Sequence, residues 1–374
     1  MTTVSPNTVT TTLTTAPTVD VTVDIASVDI ASGDTAAPQS AMRLRELVFG
    51  AAIAAAVRAA ARLGVADALG DAPATSDDLA AAVNAAPQPL HRLLRALSCY
   101  GIFKETTEGT FVHTEMSRLL REDDPHSLRY ISLWCTEPWT WQAWPRLDEA
   151  VRSGGSVFHD LYGKGFFDYL HQDAHESAHV FNQAMTTSST QSALDVAELL
   201  DLTGVSVVAD IGGGQGHVLA GLLEKHPAVR GVLLDLPGVV AKADRRLRDG
   251  GPLAGRTDII PGDCRHSIPV AADLYIIKNI LEWDDDSTRR TLRNVIQAAR
   301  PGARVVIIEN LVDDTPSMRF TTAMDLMLLL NVGGAKHTKG SLLARMEDAG
   351  LVVGEVRPVN AYLHAFECTV PVPG

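Results

Sequence analysis

Three glycines and two acids near the middle of the chain have the types and spacing of a nucleoside-binding site. Asp210 ends an apolar run, Gly212, Gly214 and Gly216 follow it, and Asp235 ends the next apolar run. Glycine lets the backbone come close to a ligand because it has no Cβ. A carboxylate at a strand end can accept hydrogen bonds from both ribose hydroxyls. The pattern predicts the first βαβ unit of a nucleoside-cofactor site.

The loop reads G-x-G-x-G, whereas a dinucleotide-binding loop reads G-x-G-x-x-G. This variant resembles the glycine loop of class I methyltransferases that use S-adenosyl-L-methionine (SAM). SAM has no pyrophosphate, so the loop needs no phosphate cradle at the following helix. SAM is therefore the predicted cofactor.

Composition limits the other classes of function. The chain has 374 residues and a net charge of −13, which favours two domains and argues against nucleic acid or an anionic membrane as partner. The four cysteines are scattered, without a C-x-x-C pair, which predicts a reduced cytoplasmic protein without a structural metal site. No apolar run has membrane-spanning length.

The N-terminal part divides into a tail and a helical domain. Residues 1–41 are predicted to be a disordered Thr-rich tail, in which only the alternation Val19–Ile25 could form a strand. Residues 42–190 are predicted to form a helical, winged-helix domain, since helical patterns precede two short strands around Glu108-Gly109. Because the chain is acidic, we expect this domain to make a homodimer and cover the substrate rather than bind DNA.

The C-terminal part, residues 191–374, alternates strands and helices. A helix is predicted over Asp285–Ala299. The predicted strands are Val205–Asp210, Val229–Asp235, Asp258–Pro261, Leu274–Lys278 and Val305–Glu309. This order predicts an α/β fold, a doubly wound, mostly parallel Rossmann-like sheet that binds its ligand beyond the carboxyl ends of the strands.

Several further motifs occur in an order that identifies a family over residues 43–374. They are Phe181-Asn182-Gln183-Ala184-Met185, Asp235-Leu236-Pro237, Gly262-Asp263-Cys264, Ile268-Pro269, Lys278, Trp283-Asp284-Asp285, Pro301-Gly302 and Asn331-Val332-Gly333-Gly334. Together with the glycine loop they resemble the caffeate-type O-methyltransferases (family 2) of plants and bacterial antibiotic pathways.

The resemblance implies how SAM is bound. The glycine loop would face the methionine part, Asp235 the ribose, Asp263 the adenine amine, and Trp283 would stack on the cofactor. The implied cofactor-binding residues are Asp210, Gly212, Gly214, Gly216, Asp235, Leu236, Asp263, Cys264, Lys278, Trp283 and Met185.

A flat substrate ring is predicted from clustered indoles, which give rigid apolar walls. With the family positions added, the predicted substrate-binding residues are Trp134, Trp139, Phe181, Met185, Met327 and Asn331.

The catalytic loop departs from the family. The family has His-Asp-Trp after this strand, whereas here Glu282 or Leu281 stands in the histidine place before Trp283. Lys336 stands where the family has the glutamate that orients the base. The candidate bases are Glu309, Glu282 and His337, and the sequence leaves the choice among them open.

The predicted function is SAM-dependent methylation of a small, phenolic, tyrosine- or anthranilate-like metabolite. A phenol has a pKa of about 10 and its usual base is absent, so carbon is slightly favoured over oxygen as the acceptor. Three alternatives stay open: a metal-assisted variant using Glu282, Asp284 or Asp285 and His337; a non-methylating relative that decarboxylates, hydroxylates or cyclises; and a non-enzymatic regulator.

Overall fold

The computed structural model describes residues 36–372. The alternating segment Val19–Ile25 and the predicted tail as far as residue 35 lie outside the described residues. Residues 36–41 belong to the first helix, α1 (Ala36–Val48), so the described helical structure begins before the predicted boundary at residue 42. The chain divides into two compact units, Met1–Ala51 and Ala52–Gly374.

The first helical stretch of residues 42–190 is interrupted. It comprises α1, α2 (Gly50–Leu63) and α3 (Val65–Leu69), and the break before α3 lies at Gly64, whose φ is +69°. A left-handed backbone at this position interrupts the helix, and glycine adopts it at little cost.

A small antiparallel sheet and two helices form the predicted winged-helix arrangement. The helices are α4 (Ser76–Ala82) and α5 (Pro87–Ser98), and the sheet has the order β1–β3–β2. Its strands are β1 (Ala74–Thr75), β2 (Phe103–Thr107) and β3 (Thr110–His113). The Thr75 hydroxyl accepts a hydrogen bond from the Asp78 backbone N–H at 3.1 Å, which caps α4.

A run of helices connects this arrangement to the large sheet. They are α6 (Glu115–Arg118), α7 (Arg129–Trp134), α8 (Pro138–Ala143), a 3₁₀ turn (Trp144–Arg146), α9 (Leu147–Ser153), α10 (Phe158–Tyr162), α11 (Phe166–Gln172) and α12 (His175–Leu199). The predicted domain boundary at residue 190 falls within α12, and the domain limits stay a prediction.

The large sheet has seven strands in the order β6–β5–β4–β7–β8–β10–β9. Its strands are β4 (Val207–Ile211), β5 (Arg230–Asp235), β6 (Thr257–Pro261), β7 (Leu274–Lys278), β8 (Arg304–Glu309), β9 (Val352–Pro358) and β10 (His364–Thr369). The five predicted strands are confirmed and pair in parallel. The antiparallel pair β9 and β10 is an addition that the sequence analysis did not predict.

Helices cover both faces of this sheet. They are α13 (His217–Lys225), α14 (Pro237–Val240), α15 (Asp285–Ala298), α16 (Met318–Val332) and α17 (Lys339–Asp348), with a 3₁₀ turn at Ala254–Arg256. Alternate residues of β4 enter two different cores: Val208 packs with α12 and α13, while Ala209 packs with α15 and α17. This burial on both faces is typical of a parallel α/β sheet. No helix within residues 36–372 has the length and hydropathy to span a membrane.

Candidate cofactor and acceptor site

A cleft opens at the carboxyl ends of β4, β5 and β7, the edge at which such sheets bind their ligands. Most of the residues predicted to bind the cofactor line it. They are Asp210, Gly212, Gly214, Asp235, Leu236, Asp263, Cys264, Lys278, Trp283 and Met185. The parallel register of the three strands brings these distant segments to one edge.

Gly216 is the exception, because it is not part of the cleft lining in the described structure. A Cβ at Gly216 would approach Leu247 and Leu233, and its φ of +83° begins α13. The third glycine of the loop therefore serves close packing and the turn into the helix. Gly216 was predicted to bind the cofactor, and its place outside the cleft lining does not support that prediction.

The glycine loop is held open by the chain itself. Gly214 has a φ of +62° and nothing lies within 4 Å of where its Cβ would be, so the backbone at this point faces free space. Its N–H donates to Asp235 Oδ2 at 2.7 Å. A Cβ at Gly213 would overlap the Asp210 carboxyl group, which explains a glycine there too.

Asp235 uses both of its carboxylate oxygens to fix the backbone. Oδ2 accepts from Gly214 N–H, and Oδ1 accepts from Leu236 N–H at 2.6 Å. Burial raises the pKa of Asp235 to about 6, although these two hydrogen bonds lower it. Each oxygen has further acceptor capacity, so the group can still receive the two hydroxyls of a ribose.

A second acid lies beneath the loop. Burial raises the pKa of Asp210 to about 7, against the nearby charge of Lys278. Burial lowers the pKa of Lys278, although Asp210, Glu309 and Glu282 favour its charged form. Asp210 Oδ2 makes no hydrogen bond. The glycine loop therefore packs against a carboxyl group whose pKa is near neutral.

Asp263 is already engaged by Arg265 at the predicted adenine end. Arg265 Nε donates to Oδ1 at 2.9 Å and its NH2 donates to Oδ2 at 2.7 Å. Although burial raises the pKa of Asp263, these bonds bring it below its usual value. The same guanidinium lies 5.4 Å from the ring centroid of Trp283. Burial raises the pKa of Cys264 to about 12, so its thiol is a neutral wall of the cleft.

Sequence reasoning missed several lining residues. Arg265 lines the cleft and directly follows the Gly262-Asp263-Cys264 motif, whose family pattern does not include it. Thr186, Ser188 and Ser189 of α12 also line the cleft. These residues belong to a hydroxyl-rich run of α12, and that run is the sequence feature that indicates a polar wall of the cleft.

The predicted substrate residues divide into two groups. Phe181 and Met185 line the cleft and pack in the same aromatic cluster as Trp134 and Met327. Trp139 is only 2% exposed and packs on Phe158 and Phe166, so it belongs to the core of that cluster and not to the cleft lining. Trp134 is also buried and is not part of the cleft lining, but its indole packs against Phe181, which does line the cleft.

Asn331 is buried, and its Oδ1 makes no hydrogen bond. It is not part of the cleft lining, and neither is Met327, yet both lie on α16. An unpaired buried oxygen costs free energy unless something donates to it. Asn331 therefore stays a candidate for binding a polar group of the acceptor.

None of the three candidate bases lines the cleft. His337 Nε2 is 2.6 Å from the Leu281 carbonyl oxygen, so this nitrogen donates and cannot take a proton. Glu309 Oε1 accepts from Leu281 N–H at 3.1 Å, and burial, together with the charge of Glu282, raises the Glu309 pKa well above its usual range. Glu282 forms an ion pair with Lys336.

The residues of the metal-assisted alternative have other partners. Glu282 pairs with Lys336, Asp284 Oδ1 accepts from Ser287 N–H at 3.0 Å, and Asp285 pairs with Arg289 and Arg345. Within residues 36–372, no group of three His, Cys, Asp or Glu side chains could hold a metal ion. The geometry gives that alternative no support.

Comparison with known families identifies the chain. The model of an O-methyltransferase domain matches residues 144–351, and that of an O-methyltransferase dimerisation domain matches residues 45–123. The chain belongs to the O-methyltransferase family. The winged-helix segment thus lies within the family's dimerisation domain, and the cleft lies in its methyltransferase domain.

Individual relatives agree with this family. A mitomycin biosynthesis 6-O-methyltransferase of Streptomyces lavendulae is 37% identical over 85% of this chain and 91% of its own. A solved mitomycin 7-O-methyltransferase is 36% identical, with a TM-score of 0.82 over 90% of this chain and 100% of its own. A solved O-methyltransferase from neocarzinostatin biosynthesis, in complex with SAM and 2-hydroxy-5-methyl naphthoic acid, is 30% identical, with a TM-score of 0.72 over 85% of this chain and 95% of its own.

This protein is therefore a SAM-dependent methyltransferase, as its sequence predicts, and SAM is its cofactor. The preference for carbon as the acceptor receives no support, because these relatives are O-methyltransferases by name. That preference depended on the missing histidine alone. The non-methylating and regulatory alternatives receive no support from these relatives either.

Proposed function

We propose that this methyltransferase transfers the methyl group of SAM to a hydroxyl oxygen of a small aromatic metabolite. The observation that carries the proposal is the position of Phe181 and Met185. Both line the cofactor cleft and also pack in the aromatic cluster of Trp134 and Met327. An aromatic ring bound beside them would lie next to the cofactor, and the neocarzinostatin relative was solved in complex with an aromatic compound, 2-hydroxy-5-methyl naphthoic acid.

The chain's own residues would act mainly by positioning. SAM supplies an electrophilic methyl group when it is bound. Asp235 would orient the ribose, while Phe181 and Met185 would orient the acceptor ring toward the methyl carbon. Alignment of reacting atoms can supply much of the rate of such a transfer. We keep Glu282, Glu309 and His337 as the candidate polar groups, with Glu282 favoured because the other two are fixed to the backbone of Leu281.

The test is product analysis with purified protein and methyl-labelled SAM on a panel of phenols, naphthols and aromatic amines. We expect a labelled ether and stoichiometric S-adenosylhomocysteine. A labelled product that resists O-demethylation would mean transfer to carbon and contradict the proposal. Label recovered from an amine would move the acceptor to nitrogen. The position of Phe181 and Met185 is tested in parallel, since their alanine variants should lose turnover while SAM still binds.

We further propose that the enzyme works as a cytoplasmic homodimer. The dimerisation family model supports this assembly, and α1 carries several exposed apolar side chains: Met42, Leu44, Leu47 and Val48. Exposed apolar surface of this kind is typical of an interaction site. Light scattering after size-exclusion chromatography should give twice the chain mass, and a Leu44→Asp, Leu47→Asp double variant should give a monomer.

A further inference from the structure

A buried ion pair joins the two loops that depart from the family, one with Glu282 or Leu281 in the place of the histidine base and the other with Lys336 in the place of the glutamate that orients it. The Glu282 carboxylate contacts the Lys336 ammonium, and the two side chains are 11% and 8% exposed. On the Glu282 side, Ile280 and Trp283 line the cofactor cleft. Lys336 follows the end of α16, the helix that contains Met327 and Asn331. Neither side chain of the pair lines the cleft itself, but the charges of both act on Lys278, which does line it.

The backbone fixes both halves of this pair. A Cβ at Gly334 would overlap the Glu282 carbonyl, so the two loops touch along their main chains. The Lys336 N–H donates to Asp325 Oδ1 at 2.6 Å, and His337 donates to the Leu281 carbonyl at 2.6 Å. Neither loop can move away without breaking buried hydrogen bonds, so the ammonium has a defined position.

Further charged groups near the pair are Glu309, Lys278 and Asp325. Burial and the neighbouring Glu282 raise the Glu309 pKa well above its usual range. Glu282 is the carboxylate that forms the ion pair with Lys336.

A carboxylate in the place of an imidazole changes which hydroxyl can react. Reference pKa values are about 4.3 for a glutamate, 6.5 for a histidine and 10 for a phenol. Removing a proton from an ordinary phenol with a carboxylate is therefore unfavourable by roughly a millionfold. An acceptor that is already ionised needs no base, and a buried ammonium can stabilise its oxygen anion.

Resting on the function proposed above, we propose that the acceptor is an aromatic hydroxyl made acidic by a conjugated carbonyl group, and that Lys336 binds its oxygen anion. An ammonium has three N–H donors, so Lys336 can keep Glu282 and still donate to the acceptor. In the transfer step the anionic oxygen forms a bond to the methyl carbon. The carbon–sulfur bond breaks with its electron pair going to sulfur, which leaves neutral S-adenosylhomocysteine and a neutral ether, and no proton moves.

The first experiment compares two acceptors of the same ring size: a hydroxynaphthoquinone, whose hydroxyl is acidified by a ring carbonyl, and the naphthol with its hydroxyl at the same position. Formation of S-adenosylhomocysteine is measured by mass spectrometry near neutral pH. We expect the quinone to react at least about a hundredfold faster. Equal rates, or a faster naphthol, would overturn the proposal because a working base would then exist.

Calorimetry of SAM binding distinguishes a failure of the acidic-acceptor proposal from a failure of the proposed methyltransferase function. If neither compound is methylated while SAM binds, the acidic-acceptor proposal is overturned and the cofactor assignment stands. If SAM itself does not bind, the proposed function fails with it. Methylation of ordinary phenols alone would leave O-methylation correct and this inference wrong.

Variants of the pair give a second, spectroscopic test. With S-adenosylhomocysteine bound, no methyl transfer occurs, and the visible absorbance of the hydroxynaphthoquinone reports its ionisation. Binding to the native enzyme should lower the pH at which the ligand ionises by about one unit, which corresponds to a tenfold preference for the anion. Lys336→Met should abolish this shift and Lys336→Arg should retain it. An unchanged shift in Lys336→Met would contradict the proposal.

Glu282→Gln distinguishes a binding role from a base. The carboxamide oxygen can still accept from Lys336, so turnover of the quinone should stay within about tenfold of native, whereas loss of a general base typically costs more. A collapse of turnover with the fold and SAM affinity intact would mean that Glu282 takes a proton. Lys339→Met is the matched control: this exposed lysine begins α17 and its loss should change none of the readouts.

Discussion

The cofactor end and the acceptor end of the cleft are built differently. At the cofactor end, strand termini and a local glycine loop place Asp210, Gly214 and Asp235 together, and hydrogen bonds within this motif hold them. At the acceptor end, side chains from segments far apart in sequence meet, as Glu282 and Lys336 do. By the family resemblance, the glycine loop and Asp235 keep the family pattern, whereas Glu282 and Lys336 depart from it. The comparison therefore separates a conserved type of cofactor motif from a pair of positions that this chain has changed together.

The largest expected effect tests the cofactor end. Asp235→Ala removes a buried carboxylate that would accept two ribose hydroxyls and also fixes Gly214 N–H. Each hydrogen bond to a charged group is worth about 1.5–3 kcal/mol, so SAM affinity should fall by at least about a hundredfold in calorimetry. Asp258→Ala, at an exposed position on neighbouring β6, is the control. Unchanged affinity in Asp235→Ala would refute the ribose assignment.

Gly334→Ala tests the acceptor end. Its methyl group would overlap the Glu282 carbonyl, so the two loops must separate. Overpacking of this kind costs about 2 kcal/mol in the free energy of unfolding, and turnover should fall while SAM affinity stays near native. Gly340→Ala places a methyl group in open space and should not destabilise the protein. If Gly334→Ala lowered SAM affinity as much as turnover, the two ends would not be separable.

The pH dependence of SAM binding sharpens the comparison further. Burial raises the pKa of Asp235 to about 6, and the ionised form is the better acceptor for ribose hydroxyls. Affinity should therefore weaken as pH falls through 6, by about tenfold between pH 7 and pH 5. In Asp235→Asn this part of the dependence should disappear. An affinity that rises on acidification would contradict the assignment.

The smallest effect is expected for Glu309→Gln. Burial and the neighbouring Glu282 raise the Glu309 pKa well above its usual range, so a neutral isostere should keep turnover within about threefold, far less than the loss of a general base typically costs. Because the folded-state pKa lies above the unfolded value, the contribution of Glu309 to stability is lost as pH rises above about 4.3. Denaturant unfolding should show a smaller loss of stability over this pH range in Glu309→Gln than in the native protein. A large loss of turnover in Glu309→Gln would instead mean that the ionised carboxylate is required.

Sequence reasoning was successful where structure is local. The bounds of β7 were predicted to the residue, since Leu274–Lys278 is a continuous apolar run that ends in a charge. The antiparallel pair β9 and β10 was missed because β9 is a half-exposed edge strand containing Gly354 and ending at Pro358, residues that weaken a strand pattern. The break at Gly64 was hidden by alanine-rich sequence on both sides.

The acceptor site could be predicted only as a set of candidates. Lys336 was seen to replace a glutamate, yet nothing near it in sequence indicates that it meets Glu282. Trp139 and Trp134 have similar sequence surroundings, and only packing distinguishes a core indole from one that contacts Phe181. Contacts between residues far apart in sequence decide both the Glu282–Lys336 pairing and the packing of the two indoles. A single sequence does not indicate which distant residues meet.

The contact between Gly334 and the Glu282 carbonyl also limits how this enzyme could be redesigned. Placing histidine at position 282 alone would set an imidazole beside an unneutralised Lys336 in a space with no room for backbone adjustment. Installing the histidine base that the family resemblance implies would therefore require both loops to be exchanged together. Because their main chains touch, we expect the two loops to accept a paired exchange more readily than single substitutions.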